Sequence, residues 1–103
     1  MGLLDLLGLR KEKVDFKSLY SNGAIIIDVR TPAEYKSGHY KGSINIPLDT
    51  ISKRMKDIKK KNKTVIAVCR SGARSGSATA QMKQNGIDVF NGGPWTSLSS
   101  KLS

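Results

Sequence analysis

The residues with the clearest capacity for chemistry lie in one short stretch, Val65 to Ala78, VIAVCRSGARSGSA. Cys69 closes an apolar run. Arg70 and Arg74 follow it at one and five positions, with Ser71, Gly72 and Ala73 between them and Ser75 after. A buried strand would deliver Cys69 to its carboxyl end, where open α/β sheets bind ligands. Gly72 can adopt positive φ, and a helix starts near Ser75. Backbone N–H groups of such a loop, the positive end of the helix and two guanidinium charges all favour thiolate over thiol. They lower the Cys69 pKa from its reference of about 8.5. A thiolate among anion-attracting groups is a nucleophile for an anionic substrate. A single Cys at a strand end is also often a small buried apolar side chain; the two Arg, the Gly between them and the helix start favour the reactive reading.

The elements that must position this loop alternate between short apolar strands and amphipathic helices. Asp15 caps a helix over Phe16 to Tyr20 that ends at Asn22-Gly23. Ala24 to Val29 and Thr64 to Val68 are β-branched runs, as expected of strands buried on both faces. Thr31-Pro32-Ala33-Glu34 is a capping box with Pro at the first helical position, and Gly38 stops that helix. Ser43 to Ile46 reads as a strand closed by Pro47. The spacing of Leu48, Ile51, Met55 and Ile58 predicts one helix with one apolar stripe. Ser75 to Gln84 reads as a helix, Ile87 to Phe90 as the last strand, Gly92-Gly93-Pro94 as a turn and Trp95 to Leu102 as a terminal helix. Strands alternating with helices imply an α/β fold with a mostly parallel sheet covered on both faces.

Composition narrows the class further. A chain of 103 residues with 38% hydrophobic residues is one ordinary domain with a modest core, not a disordered segment. With one Cys, no intrachain disulfide and no zinc site needing two thiolates is available. No apolar stretch approaches the roughly 18 residues of a membrane span. Residues 1–13 form a Leu-rich then basic segment ahead of a domain over residues 14–103. Arg10, Lys11 and Lys13 follow the leucines instead of preceding them, so the segment does not read as a signal peptide. Leu6 stands where the myristoylation pattern needs Ser or Thr. The simplest expectation is a short helix docked on the domain or a partner; weak membrane-surface attachment is the alternative. A reducing cytoplasm is the expected compartment.

Three motifs in order resemble the single-domain rhodanese family, over roughly Val14 to Trp95. They are Ile27-Asp28-Val29-Arg30-Thr31-Pro32-Ala33-Glu34-Tyr35 with Gly38-His39-Tyr40-Lys41-Gly42-Ser43-Ile44-Asn45-Ile46-Pro47, then Cys69-Arg70-Ser71-Gly72-Ala73-Arg74-Ser75, then Gly92-Gly93 with Trp95. The resemblance implies a rhodanese-like three-layer fold with about five short strands, and a sulfurtransferase. Cys69 would take sulfane sulfur from thiosulfate or another persulfide donor and pass it to cyanide, a thiol or a protein. Backbone groups of Arg70, Ser71, Gly72, Ala73, Arg74 and Ser75 would cradle the persulfide and bound anion. Arg70 and Arg74 would attract and orient thiosulfate. No metal or organic cofactor is implied. Phosphatases sharing the fold have a longer loop, with Arg six positions after Cys and commonly His before it; here Arg74 is five positions on and Val68 precedes Cys69. Arg30 and Glu34, four apart across a helix start, are expected to pair with each other. Asp28, at a strand's carboxyl end, needs no substrate role. His39, the only His, is expected to stabilise a turn, since a preformed thiolate requires no base.

The formal charge is +10, and seven basic residues with a single acid, Asp57, crowd Lys53 to Lys63. This run reads as a solvated face. The alternative is a docking surface through which a sulfur-relay or persulfide-carrier module meets an acidic protein or RNA. No aromatic residues are interleaved as an RNA platform requires, so neither nucleic acid nor membrane is an expected partner.

Overall fold

The computed structural model describes residues 14–103; the expected N-terminal helix and its attachment lie outside the described residues. Four strands, β1 (Ile25–Asp28), β2 (Ile44–Asn45), β3 (Val65–Cys69) and β4 (Val89–Pro94), form one sheet in the order β2-β1-β3-β4. Every pairing is parallel. Around it lie α1 (Phe16–Ser21), α2 (Pro32–Ser37), α3 (Met55–Lys60), α4 (Ala73–Gln84) and α5 (Trp95–Leu102). Of the roughly five strands expected, four are present among the described residues.

All five residues of β3 have 0% exposure. Side chains alternate across a strand, so β3 needs cover on both faces. Ile27, Val65 and Ala67 pack on one side with Ile58 of α3 and Ala78 and Met82 of α4. Ile26, Ile66 and Val68 pack on the other with Phe16 of α1 and Leu98 of α5. The same alternation places Cys69 with Val65 and Ala67, on the α4 side.

Local signals set the helix starts. Asp15 accepts from Ser18 N at 3.0 Å to open α1. Thr31 Oγ1 accepts from Glu34 N at 3.3 Å while Glu34 Oε1 accepts from Thr31 N at 3.1 Å, the reciprocal capping box expected ahead of α2. α4 starts at Ala73, two residues before the expected Ser75, because Gly72 at φ +99° turns the chain into the helix.

Two expectations are corrected. The stripe from Leu48 to Ile58 is not one helix: a 3₁₀ turn over Leu48–Thr50 and further turns precede α3. Pro47 has extended backbone, and both Thr50 N and Thr50 Oγ1 bond its carbonyl at 2.9 Å. That closes a local turn where a longer helix would otherwise begin. The apolar side chains still converge, with Ile51 and Ile58 fully buried.

Gly92-Gly93-Pro94 is not a turn but the end of β4. Ala67 pairs with Asn91 and Val68 with Gly93, so Gly92 is the extra residue of a bulge. A Cβ on Gly92 would stand 2.8 Å from Ile66 Cγ2, 3.0 Å from Val68 Cγ1 and 3.2 Å from the Ala67 carbonyl oxygen. Gly92→Ala is therefore expected to destabilise the fold by about 2 kcal/mol, the scale of overpacking, read as a lower urea midpoint at unchanged m-value.

Candidate active site

β3 carries Cys69 to its carboxyl end, and the chain then turns through Arg70, Ser71 and Gly72 into α4. The left-handed backbone of Gly72 folds its N–H back onto the sulfur, giving Gly72 N–H···Sγ at 2.8 Å. One helical turn on, Ser75 Oγ lies 3.3 Å from Sγ. Cys69 and Ser75 are both fully buried. Burial pushes the Cys69 thiol pKa up. Hydrogen bonds from the Ser75 side chain and from the backbone of Ser75, Gly72 and Ser71 outweigh it, so the net direction is down. The arrangement favours a sulfur anion held by neutral donors.

The cations are placed less uniformly than their spacing suggests. Arg74 Nη1 and Nη2 bond Glu34 Oε1 and Oε2 at 2.6 and 2.9 Å, a bidentate bridge from α4 to α2. Hydrogen bonding from Arg74 and from the Thr31 backbone holds the Glu34 carboxyl well below the ordinary carboxylate range. The stabilisation from that bridge is present above the ordinary carboxylate pKa and is lost only as pH falls through the lowered value. Arg70 is exposed and has no hydrogen-bond or ion-pair partner among the described residues. It lines an open cleft with Arg30, Glu34, Ser37, Gly38, Trp95 and Thr96. Ala73 opens α4 and directs no polar side chain at the sulfur.

The expected Arg30–Glu34 side-chain pair does not form. Asp28 is fully buried and needs a cation beside it. Arg30, two residues on, turns inward, with Nε at 2.9 and 3.0 Å and Nη2 at 2.7 Å from the Asp28 carboxylate. Its remaining donors reach the carbonyls of Glu34 at 3.3 Å and Gly38 at 2.7 Å, and its Cζ lies 5.1 Å over the Trp95 ring. Glu34 is thereby left to Arg74. Asp28 is committed to this pair, in line with a structural role. His39 Nδ1 lies 2.7 Å from the Tyr35 carbonyl and the ring stacks on Tyr35, a local turn contact.

One neighbour of the site was not singled out by any sequence pattern. Asn91 of β4 reaches both Ser75 and Gly72. Its signal is faint: a polar residue just past the expected last strand, immediately before the Gly pair.

A cysteine sulfur at the carboxyl end of a central parallel strand, held by the donors of a loop that runs into a helix, defines a class of α/β protein built around one cysteine loop. The chain belongs to the rhodanese-like domain family, which matches residues 12–93. It is 39% identical over 61 residues to thiosulfate sulfurtransferase PspE of Escherichia coli K12, covering 58% of this chain and 59% of that one. It is 40% identical over 62 residues to a sulfurtransferase of Allochromatium vinosum, covering 60% of this chain and 57% of that one. The chain thus spans less than two thirds of the length of these curated relatives. The solved structure of a rhodanese with anions from E. coli superposes with a TM-score of 0.66 at 35% identity, over 73% of this chain and 91% of that one.

Removing the Arg30 cation leaves Asp28 buried without compensation. Arg30→Leu is expected to cost about 3–5 kcal/mol of folding stability, measured by equilibrium urea unfolding.

Proposed function

We propose that the protein is a sulfurtransferase working through a Cys69 persulfide. The Cys69 thiolate attacks the outer sulfur of thiosulfate, or of another persulfide donor. The donor's S–S bond breaks, and the leaving group departs with the electron pair: sulfite from thiosulfate, or the donor's own thiolate from a persulfide. Cyanide or a thiol then attacks the outer sulfur of the persulfide, and Cys69 is released as thiolate. The observation that carries this reading is the pair of donors on the sulfur, Gly72 N–H at 2.8 Å and Ser75 Oγ at 3.3 Å. They stabilise an anionic sulfur without a general base. The kinship with curated sulfurtransferases supports the same chemistry.

The carrier reading, in which a macromolecular partner docks on the basic run and no turnover occurs, is less well supported by geometry. Lys59, Lys60, Lys61 and Lys63 lead into the amino end of β3, whereas Cys69 is at its carboxyl end. The five-residue strand between them spans about 16 Å, so a partner seated on these lysines does not face the sulfur directly.

Incubation with thiosulfate and cyanide is expected to release thiocyanate, and Cys69→Ser to abolish it. With cyanide omitted, intact-mass analysis is expected to show one added sulfur on Cys69. Persulfide formation without turnover would favour the carrier, and an unmodified Cys69 would sink both readings.

Arg70 is the exposed cation beside the loop, so Arg70→Ala is expected to raise the apparent KM for thiosulfate about fivefold, the scale of about 1 kcal/mol for one exposed charge contact. Persulfide formation at saturating donor should persist. An unchanged KM would remove Arg70 from the anion site.

A further inference from the structure

The Ser75 hydroxyl has one proton and three acceptors within reach: Asn91 Oδ1 at 2.7 Å, the Gly72 carbonyl at 3.1 Å and Cys69 Sγ at 3.3 Å. The nearest is not the sulfur. The direction of the Asn91 amide is set by its other contacts, since Oδ1 accepts from Gly93 N at 3.0 Å and Nδ2 donates to the Gly72 carbonyl at 3.3 Å. A rotated amide would point NH₂ at both the Gly93 N–H and the Ser75 hydroxyl, so Oδ1 is a fixed acceptor facing Ser75.

We propose that Asn91 is a positioning residue for the sulfur site: it holds the Ser75 hydroxyl proton while Cys69 is a thiol and yields it to the sulfur when Cys69 becomes an anion. A neutral thiol can donate S–H to the Ser75 lone pair while Ser75 donates to Asn91. A thiolate can only accept, so the hydroxyl turns from Asn91 to Sγ. The thiol proton leaves to solvent; Ser75 remains a hydroxyl throughout, and only the direction of its O–H bond changes. Asn91 therefore competes with the thiolate for one donor and sets how readily the anion forms. An exposed strand residue thus acts on a fully buried sulfur through a fully buried hydroxyl.

Other charges at this end of the sheet are Arg70, Arg74 of α4, Glu34 of α2, Asp28 at the end of β1 with Arg30 just after it, and Asp49 of the 3₁₀ turn. Between Val89 and Pro94, β4 has no titratable side chain, and α5 has only Lys101, in its last turn beside Phe16. All of these stay constant in the variants that test the idea.

The inference rests on Cys69 as the reactive sulfur, but its test does not require sulfur transfer. The rate of iodoacetamide alkylation of Cys69, the only Cys, is followed against pH in the full chain. On the acid limb, where rate follows the thiolate fraction, Asn91→Ala is expected to speed alkylation roughly threefold and to move the midpoint down. Ser75→Ala is expected to move the midpoint up. In the Ser75→Ala background, Asn91→Ala should change nothing. Asn91→Val suits an exposed strand position and gives the same reading if the alanine variant loses the fold. With Ser75 intact, an unchanged or raised midpoint in Asn91→Ala overturns the proposal. So does an equal shift with and without Ser75, which would mean that Asn91 acts through the Gly72 carbonyl instead. Absence of sulfur transfer by the unsubstituted protein, with these shifts present, would count against the sulfurtransferase reading alone.

Discussion

The carboxyl end of the sheet is organised around the buried Asp28–Arg30 pair. Asp28 has no exposed surface and Arg30 almost none. Desolvating two charges is tolerable only if every donor and acceptor finds a partner, and here they do. The carboxylate takes three contacts from the guanidinium and one from the Arg30 N–H, and the guanidinium also reaches the carbonyls of Glu34 within α2 and of Gly38 just after it. Its face covers Trp95, where β4 passes directly into α5. One ion pair therefore links β1, α2 and the β4–α5 junction, the walls within which the cysteine loop sits.

That commitment sorts the remaining charges. Because Arg30 is occupied by Asp28, Glu34 is available to bridge Arg74 and tie α2 to the first turn of α4. The bridge anchors the helix whose first turn supplies Ser75. The sulfur itself meets neutral donors, Gly72 N–H and Ser75 Oγ. Such donors favour an anion without trapping it as a tight ion pair would, which suits the sulfur-carrying role proposed for Cys69.

Much of the fold was legible because its signals are local. The β-branched runs in β1 and β3, the Thr31–Glu34 capping box and the terminal helix from Trp95 to Leu102 depend on side chains close in sequence. The misreadings share a cause. The Leu48–Ile58 stripe has helical spacing, but apolar spacing reports only which side chains face the core, and a turn closed on Pro47 satisfies the same burial. Gly92-Gly93-Pro94 has turn composition, yet Gly92 is required because β4 passes so close to Ile66, Val68 and the Ala67 carbonyl that no Cβ fits. That constraint belongs to a neighbouring strand 25 residues away in the chain.

The site divides along the same line. The sequence by itself determined the cysteine loop at the end of β3 and the family to which the chain belongs, because Cys69, Gly72 and Ser75 lie within one strand–loop–helix unit whose geometry is largely local. Only the tertiary structure decided the partners. Arg30 lies four residues from Glu34, but it pairs with Asp28; Glu34 pairs with Arg74, 40 positions away, and Ser75 with Asn91, 16 positions away. The physical reason is that a buried charge or hydroxyl takes whichever complementary group the packed elements bring within reach, and that reach is set by the order β2-β1-β3-β4 and the helices laid across it, not by spacing along the chain.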